Sequence, residues 1–314
     1  MEPWPGSQQY HGGVVAAVAP NGEPGVHGAG DAAVDAVVLR MLLGRKLRRL
    51  REVAGVTPER AGYEIRGSRS KISRMETGRV RFKVRDLTDL LTLYGVTDEQ
   101  ECEEAVSLAR QANEPDWWQK YGDILPGWFE SYLGLESAAS TIRSFEIQFV
   151  PGLFQTRDYA RAVARLGHKA APAAEIEDRV AVRLKRQNLL AREEPPVVWS
   201  VLDEAVLRRP VGGRDVMRAQ LQHLVSAARQ HRVIFQVVPF GLGGHAGTGG
   251  SFTVLRFAEP DLPDVVYIEQ LTSALYLEQR PDVEHYLEVM DQLSGEALTP
   301  AASVRFLQQV AQQT

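Results

Sequence analysis

The stretch that most constrains this chain is residues 66–79, RGSRSKISRMETGR. Ser68 is placed to cap a short helix by accepting a hydrogen bond from a first-turn N–H. Along that helix Ile72 and Met75 fall three apart on one face. Arg69, Ser70, Lys71 and Arg74 project elsewhere, and Gly78 stands where the helix should stop. So short a helix does not hold itself together alone, so it must dock on neighbours through Ile72 and Met75. What it then offers outward is two arginines, a lysine and a hydroxyl. Arginine's planar fork suits the O6/N7 edge of guanine, and both cations suit phosphate. An ordinary solvated basic helix is the bland alternative, and the flanking residues decide between them.

The charge distribution favours the first reading. The chain as a whole has a net charge of −4, but residues 39–85 hold 15 Lys and Arg against four acids, a local charge of +11 that leaves −15 for the rest. A compact basic unit on an acidic body is the footprint of a nucleic-acid reader carried by another domain. The 314 residues leave room for two domains, and an apolar fraction of 44% is that of a globular chain. The single cysteine, Cys102, excludes an internal disulfide framework and a multi-cysteine zinc site, and fits a reducing compartment. No run approaches the roughly twenty apolar residues of a membrane span. The N-terminus lacks the basic start and apolar core of a signal peptide, so a cytoplasmic, nucleoid-associated location is expected.

Residues 1–36, rich in Gly, Ala, Pro and Val without helical or strand period, read as a disordered tail. Residues 39–54 place Leu39, Leu43, Leu47, Leu50 and Ala54 at helical spacing, and Gly55 ends that helix. Thr57-Pro58 opens the next, a cap residue followed by proline at the first helical position, and it runs to residue 65. Arg66-Gly67 makes the tight turn into the basic helix. Helix, tight turn and basic helix is the geometry that lays a recognition helix in the major groove. Two more helices follow at residues 84–94 and 98–111.

Residues 43–95 resemble the Cro/repressor-type (XRE) helix-turn-helix domain, on the strength of SRSKISRMETGR and the later DLTDLLTLYGV. That resemblance implies a five-helix, all-α unit binding double-stranded DNA. It maps Arg69, Ser70, Lys71 and Arg74 to base edges or the nearby backbone, and Arg79, Arg81 and Lys83 to the flanking phosphate or minor groove. Thr57 falls at a helix N-terminus that usually meets a phosphate. Arg51 and Glu76 occupy the positions of a buried structural ion pair. Three departures stand out: Pro58 replaces a phosphate-contacting Gln, Ala61 and Gly62 thin the packing face of the second helix, and the turn glycine is displaced by Arg66.

From residue 113 the texture changes to a larger α+β domain, residues 113–314, behind the DNA-binding domain of residues 37–112. Trp117, Trp118, Tyr121, Trp128, Phe129 and Tyr132 crowd together, but among acids (Glu114, Asp116, Asp123 and Glu130) that repel nucleic acid. Packing between domains is therefore preferred over base stacking. A helix at residues 126–141, a strand at 145–150 and helices at 157–166 and 173–193 follow. In the last of these Ile176, Val180, Leu184 and Leu190 face inward, while Arg179, Arg183 and Arg186 form a solvated face paired with nearby acids. Strands at 197–202 and 233–239 flank a helix at 214–230 as a βαβ-like unit. Strands at 251–257, 265–270 and 274–278 read as a meander, and helices at 283–293 and 300–312 close the chain.

The segments PGLFQTRDYARAV, RLKRQNLL, VLDEAVLRRPVGG, VVPFGLGGHAGTGGSF, VVYIEQ and YLE resemble a domain of undefined function found behind XRE domains in actinobacterial regulators, some of them named Scr1-family antitoxin-like regulators. Regulators of that kind are often encoded beside a very small protein, which implies a protein partner for the domain.

Chemistry is hard to place there. Residues 241–250, GLGGHAGTGG, lack the Lys-Ser/Thr ending of a phosphate loop and precede a strand, so they read as a flexible hairpin loop, with a mobile lid the residual alternative. The seven histidines have no paired ligand spacing, so no metal and no cofactor is expected. Asp203-Glu204 reads as a helix cap rather than an acid/base pair, and no nucleophile signature accompanies it. The expectation is a sequence-specific transcriptional regulator and not an enzyme. It would be a homodimer on an inverted repeat, since one such domain buries little surface on DNA. Its second domain would sense a small protein or small molecule. An antitoxin-like module that sequesters a small partner protein, with DNA binding serving autoregulation, is the alternative.

Overall fold

The structure, a computed structural model, describes residues 36–314. The tail expected at residues 1–36 lies outside them except for Ala36, which opens α1 (Ala36–Val53). The helix therefore starts a turn earlier than its leucine spacing suggests. The extra residues are helical because Val37, Val38 and Met41 are buried together with Trp118, Tyr132 and Leu133 of the following domain. Further along the same helix, Leu43 and Leu47 enter a different core with Ile72, Met75, Phe82, Leu87 and Leu90. One helix thus serves two cores.

Helix α2 (Pro58–Glu64) is capped by Thr57, whose Oγ1 accepts from the Arg60 N–H at 3.2 Å. Pro58 costs it nothing, because a first-turn N–H has no intrahelical partner. Helix α3 (Arg69–Glu76) is capped by Ser68, whose Oγ accepts from the Lys71 N–H at 3.2 Å. Helices α4 (Val84–Leu93) and α5 (Glu99–Ala112, capped by Asp98) complete the all-α unit. Ile72 and Met75 are each 1% exposed. Burial on that scale stabilises the docking of α3 by about 1.5–3 kcal/mol per side chain. Gly44 lets α1 approach α3, because a Cβ there would press on the Met75 and Glu76 carbonyls.

The second domain is a mixed six-stranded sheet between helices, an α+β fold. Helix α6 (Gly127–Ala138) leads into β1 (Thr141–Glu146), followed by α7 (Arg157–Gly167), α8 (Ala173–Arg186), β2 (Val197–Asp203), α9 (Glu204–Arg208), α10 (Arg214–Ala227) and β3 (Val233–Val238). Strands β4 (Phe252–Arg256), β5 (Val265–Glu269) and β6 (Ala274–Leu277) come next, then α11 (Arg280–Glu296) and α12 (Pro300–Gln313). The order across the sheet is β3-β2-β1-β4-β5-β6. Strands β1, β2 and β3 are mutually parallel, and β4, β5 and β6 are antiparallel to their neighbours. The βαβ unit and the meander are both present.

Side chains alternate across this sheet as a strand's period of two requires. On β5, Val265 and Tyr267 join the core shared with α10 and α12, while Val266 and Ile268 join that of α11. Three sequence-based expectations need correction. Strand β1 begins at Thr141 rather than residue 145, because pairing of Thr141 with both Val197 and Arg256 sets its register. The apolar Phe149 and Val150 lie beyond the strand, where the Val150 N–H donates to the Tyr159 hydroxyl at 3.2 Å. Residues 241–250 are no hairpin, since β3 is an edge strand and β4 pairs with β1. The segment is instead a crossover pinned on Phe145 by the His245 ring, 5.3 Å away.

Candidate nucleic-acid interface

Helix α3 presents one exposed polar strip. Arg69, Ser70, Ser73 and Arg74 are all exposed, with Ser73 one turn from Arg69 and Arg74 one turn from Ser70. Ser73 belongs to that strip, although its hydroxyl attracted no attention in the sequence; the spacing of four from Arg69 is the signal that could have found it. Arg69 makes an exposed ion pair with Glu59 on α2 at 3.1 Å. Such a pair is worth about 0–1 kcal/mol and is easily exchanged for a phosphate or base. Arg74 has no acidic partner among the described residues. Its neighbours on the opposite face, Ile72, Met75 and Glu76, are buried, so the helix cannot roll without losing its core contacts.

Lys71 is placed differently. It was expected at the base edges or nearby backbone, but its Nζ pairs with Asp86 Oδ2 on α4 at 2.5 Å, and it is half-buried. The lysine ties α3 to α4 instead of projecting from the strip. Thr57 is exposed at the start of α2, and Lys83 is exposed at the start of α4. Arg51 and Glu76 form the buried ion pair that the resemblance implied.

The segment after α3 is held from the other domain. Gly78 has φ +68 and lies so close to α1 that a Cβ would come within 2.6 Å of the Met41 backbone. Arg79, expected at a flanking phosphate, pairs with Glu278 and lies over the Tyr276 ring, 4.4 Å from its centroid. Arg81 donates to the Glu114 carbonyl at 3.1 Å and approaches Asp116 at 3.7 Å. The Phe82 backbone is gripped by Asn113, whose side chain accepts from its N–H at 3.0 Å and donates to its carbonyl at 2.6 Å. Of the three cations expected to flank the recognition helix, two are therefore engaged with protein, and Lys83 alone has no acidic partner among the described residues.

Residues 42–104 match a family model described as a helix-turn-helix domain, so the N-terminal unit is a helix-turn-helix DNA-binding domain. Residues 129–309, more than half of the chain, match the model described as Domain of unknown function (DUF5753). The chain belongs to that family. No curated protein and no solved structure matches it. No described helix is long and apolar enough to cross a membrane, and no group of His, Cys, Asp or Glu among the described residues is placed to hold a metal ion.

Within the DUF5753 domain the polar residues that drew attention in the sequence are tied into the fold. Asp203 caps α9, accepting from the Ala205 N–H at 2.7 Å, and Glu204 accepts from the Phe240 N–H at 2.9 Å and from Arg208 at 3.0 Å. The arginines of α8 pair with nearby acids as expected, Arg179 with Glu175 and Arg186 with Glu136, but they are half-buried rather than a solvated face. Arg186 makes a bidentate pair with Glu136 at 2.7 and 2.8 Å, and Glu136 also accepts from the Tyr132 hydroxyl at 2.9 Å. Burial pulls the Arg186 guanidinium down, but the Glu136 carboxylate outweighs it and holds its pKa above the ordinary arginine value. Arg183 next to it is pulled down to about 10 by burial and by the charge of Arg186. Glu146, at the end of β1, is pushed up to about 8, chiefly by burial. Aromatic rings of the DUF5753 domain border this cluster: Tyr132 stacks on Tyr267 at 4.2 Å, and Tyr267 meets Tyr276 at 5.3 Å. These aromatics pack inside the protein, and Trp118 is buried against α1, so the acidic, ring-rich linker is a packing element.

Proposed function

We propose that this chain is a sequence-specific transcriptional regulator of the XRE type, with α3 as its recognition helix. Arg69, Ser70, Ser73 and Arg74 read base edges in the major groove, and Thr57 and Lys83 meet phosphates on either side. The observation that supports this most is the exposed strip of α3, whose opposite face is locked into the core. A homodimer on an inverted repeat would supply the contact area that one helix-turn-helix lacks. In this reading the DUF5753 domain performs no reaction. It dimerises and receives a signal, a small protein or a small molecule, in a cytoplasmic setting.

The test is recovery of the tagged full-length chain from its native host, with bound DNA fragments sequenced and bound proteins identified by mass. Discrete palindromic sites are the expected result. Recovery of one small protein without enriched DNA would contradict it and favour an antitoxin-like sequestering role.

A further inference from the structure

Arg79 follows α3 by three residues, where the resemblance to XRE domains implies a cation at the flanking phosphate. Its partner Glu278 is 199 residues away, just past the edge strand β6, and Tyr276 on that strand lies beneath the guanidinium. We propose that Glu278 and Tyr276 form an autoinhibitory clamp: the DUF5753 domain holds in its own carboxylate the cation that would otherwise take a DNA phosphate. The inference rests on the DNA-binding reading and adds the means by which the second domain governs it.

Three features argue for a clamp that opens rather than a permanent strut. A carboxylate and a phosphate compete for the same N–H donors, so the Nη2 contact with Glu278 takes a donor that a phosphate oxygen would use. The carboxylate also adds a negative charge beside the path of the duplex backbone, which weakens binding a second time. Finally, the grip is incomplete: Arg79 Nε is buried without an acceptor, a cost that is relieved when the side chain leaves. Arg81 makes a useful contrast, because its partners Glu114 and Asp116 lie in the linker and not on the sheet.

The clamp is also wired to the interior of the DUF5753 domain. The Tyr276 hydroxyl donates to the Trp128 carbonyl on α6, and the ring contacts Tyr267, which stacks on Tyr132. Tyr132 in turn donates to Glu136, the partner of Arg186. A signal that shifts α6 or α8 therefore displaces the ring on which Arg79 rests.

The experiment compares full-length wild type, Glu278→Gln, Arg79→Ala and the double variant on random-sequence duplex DNA, by fluorescence anisotropy between 50 and 200 mM salt, concentrations over which phosphate contacts are strongly weakened. Glu278→Gln should bind tighter than wild type, with a plot of log K against log salt steeper by about 0.9, the increment of one added phosphate contact. Arg79→Ala should leave wild-type binding nearly unchanged but abolish the gain in the double variant. Tyr276→Leu, which removes the ring but keeps an apolar body, should shift the slope in the same direction as Glu278→Gln. Weaker or unchanged binding by both Glu278→Gln and Tyr276→Leu would overturn the clamp, as would an equal loss from Arg79→Ala in both backgrounds. If neither wild type nor any variant binds duplex at the lowest salt, the DNA-binding reading itself fails.

Discussion

Arg51 and Glu76 form a two-pronged ion pair between the end of α1 and the end of α3, with Nε–Oε1 at 2.5 Å and Nη2–Oε2 at 3.0 Å, both side chains buried. The hydrogen bond to Glu76 raises the Arg51 pKa above its ordinary value, so the arginine keeps its charge in the fold. A pair of this kind is costly to break from one side, because the survivor is left charged and dry. Glu76→Ala should lower stability by about 3–5 kcal/mol. The double change Arg51→Met with Glu76→Met should cost less than either single change. Urea midpoints decide it, and additive losses would show that the two charges do not depend on each other.

The ion pair between Lys71 and Asp86 ties α3 to α4, and a positioning role for Lys71 predicts that the two residues act as a unit. Lys71→Ala and Asp86→Ala should reduce DNA affinity by similar factors, and the double variant should be no worse than either single. The coupling between them is expected to be about 1 kcal/mol. A Lys71→Ala loss with no counterpart in Asp86→Ala would return the lysine to the DNA.

Arg66 is the one non-glycine residue with positive φ among those described, at 51°, in the turn between α2 and α3. A side chain in the left-handed region costs roughly 1–2 kcal/mol, a cost that glycine avoids. Arg66→Gly should therefore raise the thermal midpoint by a few degrees, about 2–4 °C per kcal/mol for a chain of this order of size. An unchanged or lower midpoint would mean that the turn gains something from the arginine side chain.

What the sequence disclosed and what it withheld separate by range. Ser68, Ile72, Met75 and Gly78 were legible because caps, faces and stops are set within a turn or two of each residue. The strands were legible as apolar runs, yet β1 was misplaced. Its register depends on Val197 and Arg256 on other strands, and the buried Phe149 and Val150 mimic a continuing strand. The protein partners of Lys71, Arg79 and Arg81 were hidden for the same reason. Each is a basic residue near a recognition helix, and only the fold brings up Asp86, Glu278 or Asp116 to occupy it. The arginines of α8 misled in the opposite sense, since a charged stripe looks solvated until Glu136 is found beneath it.

Glu146 gives the DUF5753 domain a pH signature. Burial, reinforced by the charge of Glu269, raises its folded pKa to about 8, against the opposing pull of Ser251 and Arg186. With the folded pKa above the unfolded one, folding takes up a proton between them. The contribution to stability is complete below about pH 4.5 and is lost as pH rises toward 8. Stability should fall by up to about 1.4 kcal/mol per pH unit across that window. Glu146→Gln should flatten the profile and be the more stable chain at pH 9. A wild-type profile that is flat between pH 5 and 8 would show that the carboxyl is ionised in the fold.

The most direct measurement on the central claim is the affinity of wild type, Arg69→Ala and Arg74→Ala for a selected site and for random duplex at one fixed salt concentration. The strip on α3 reads bases if each arginine's removal costs on the order of 1–3 kcal/mol on the selected site and much less on random DNA. Equal losses on both duplexes would contradict it, leaving α3 a basic helix that holds the backbone without reading the sequence.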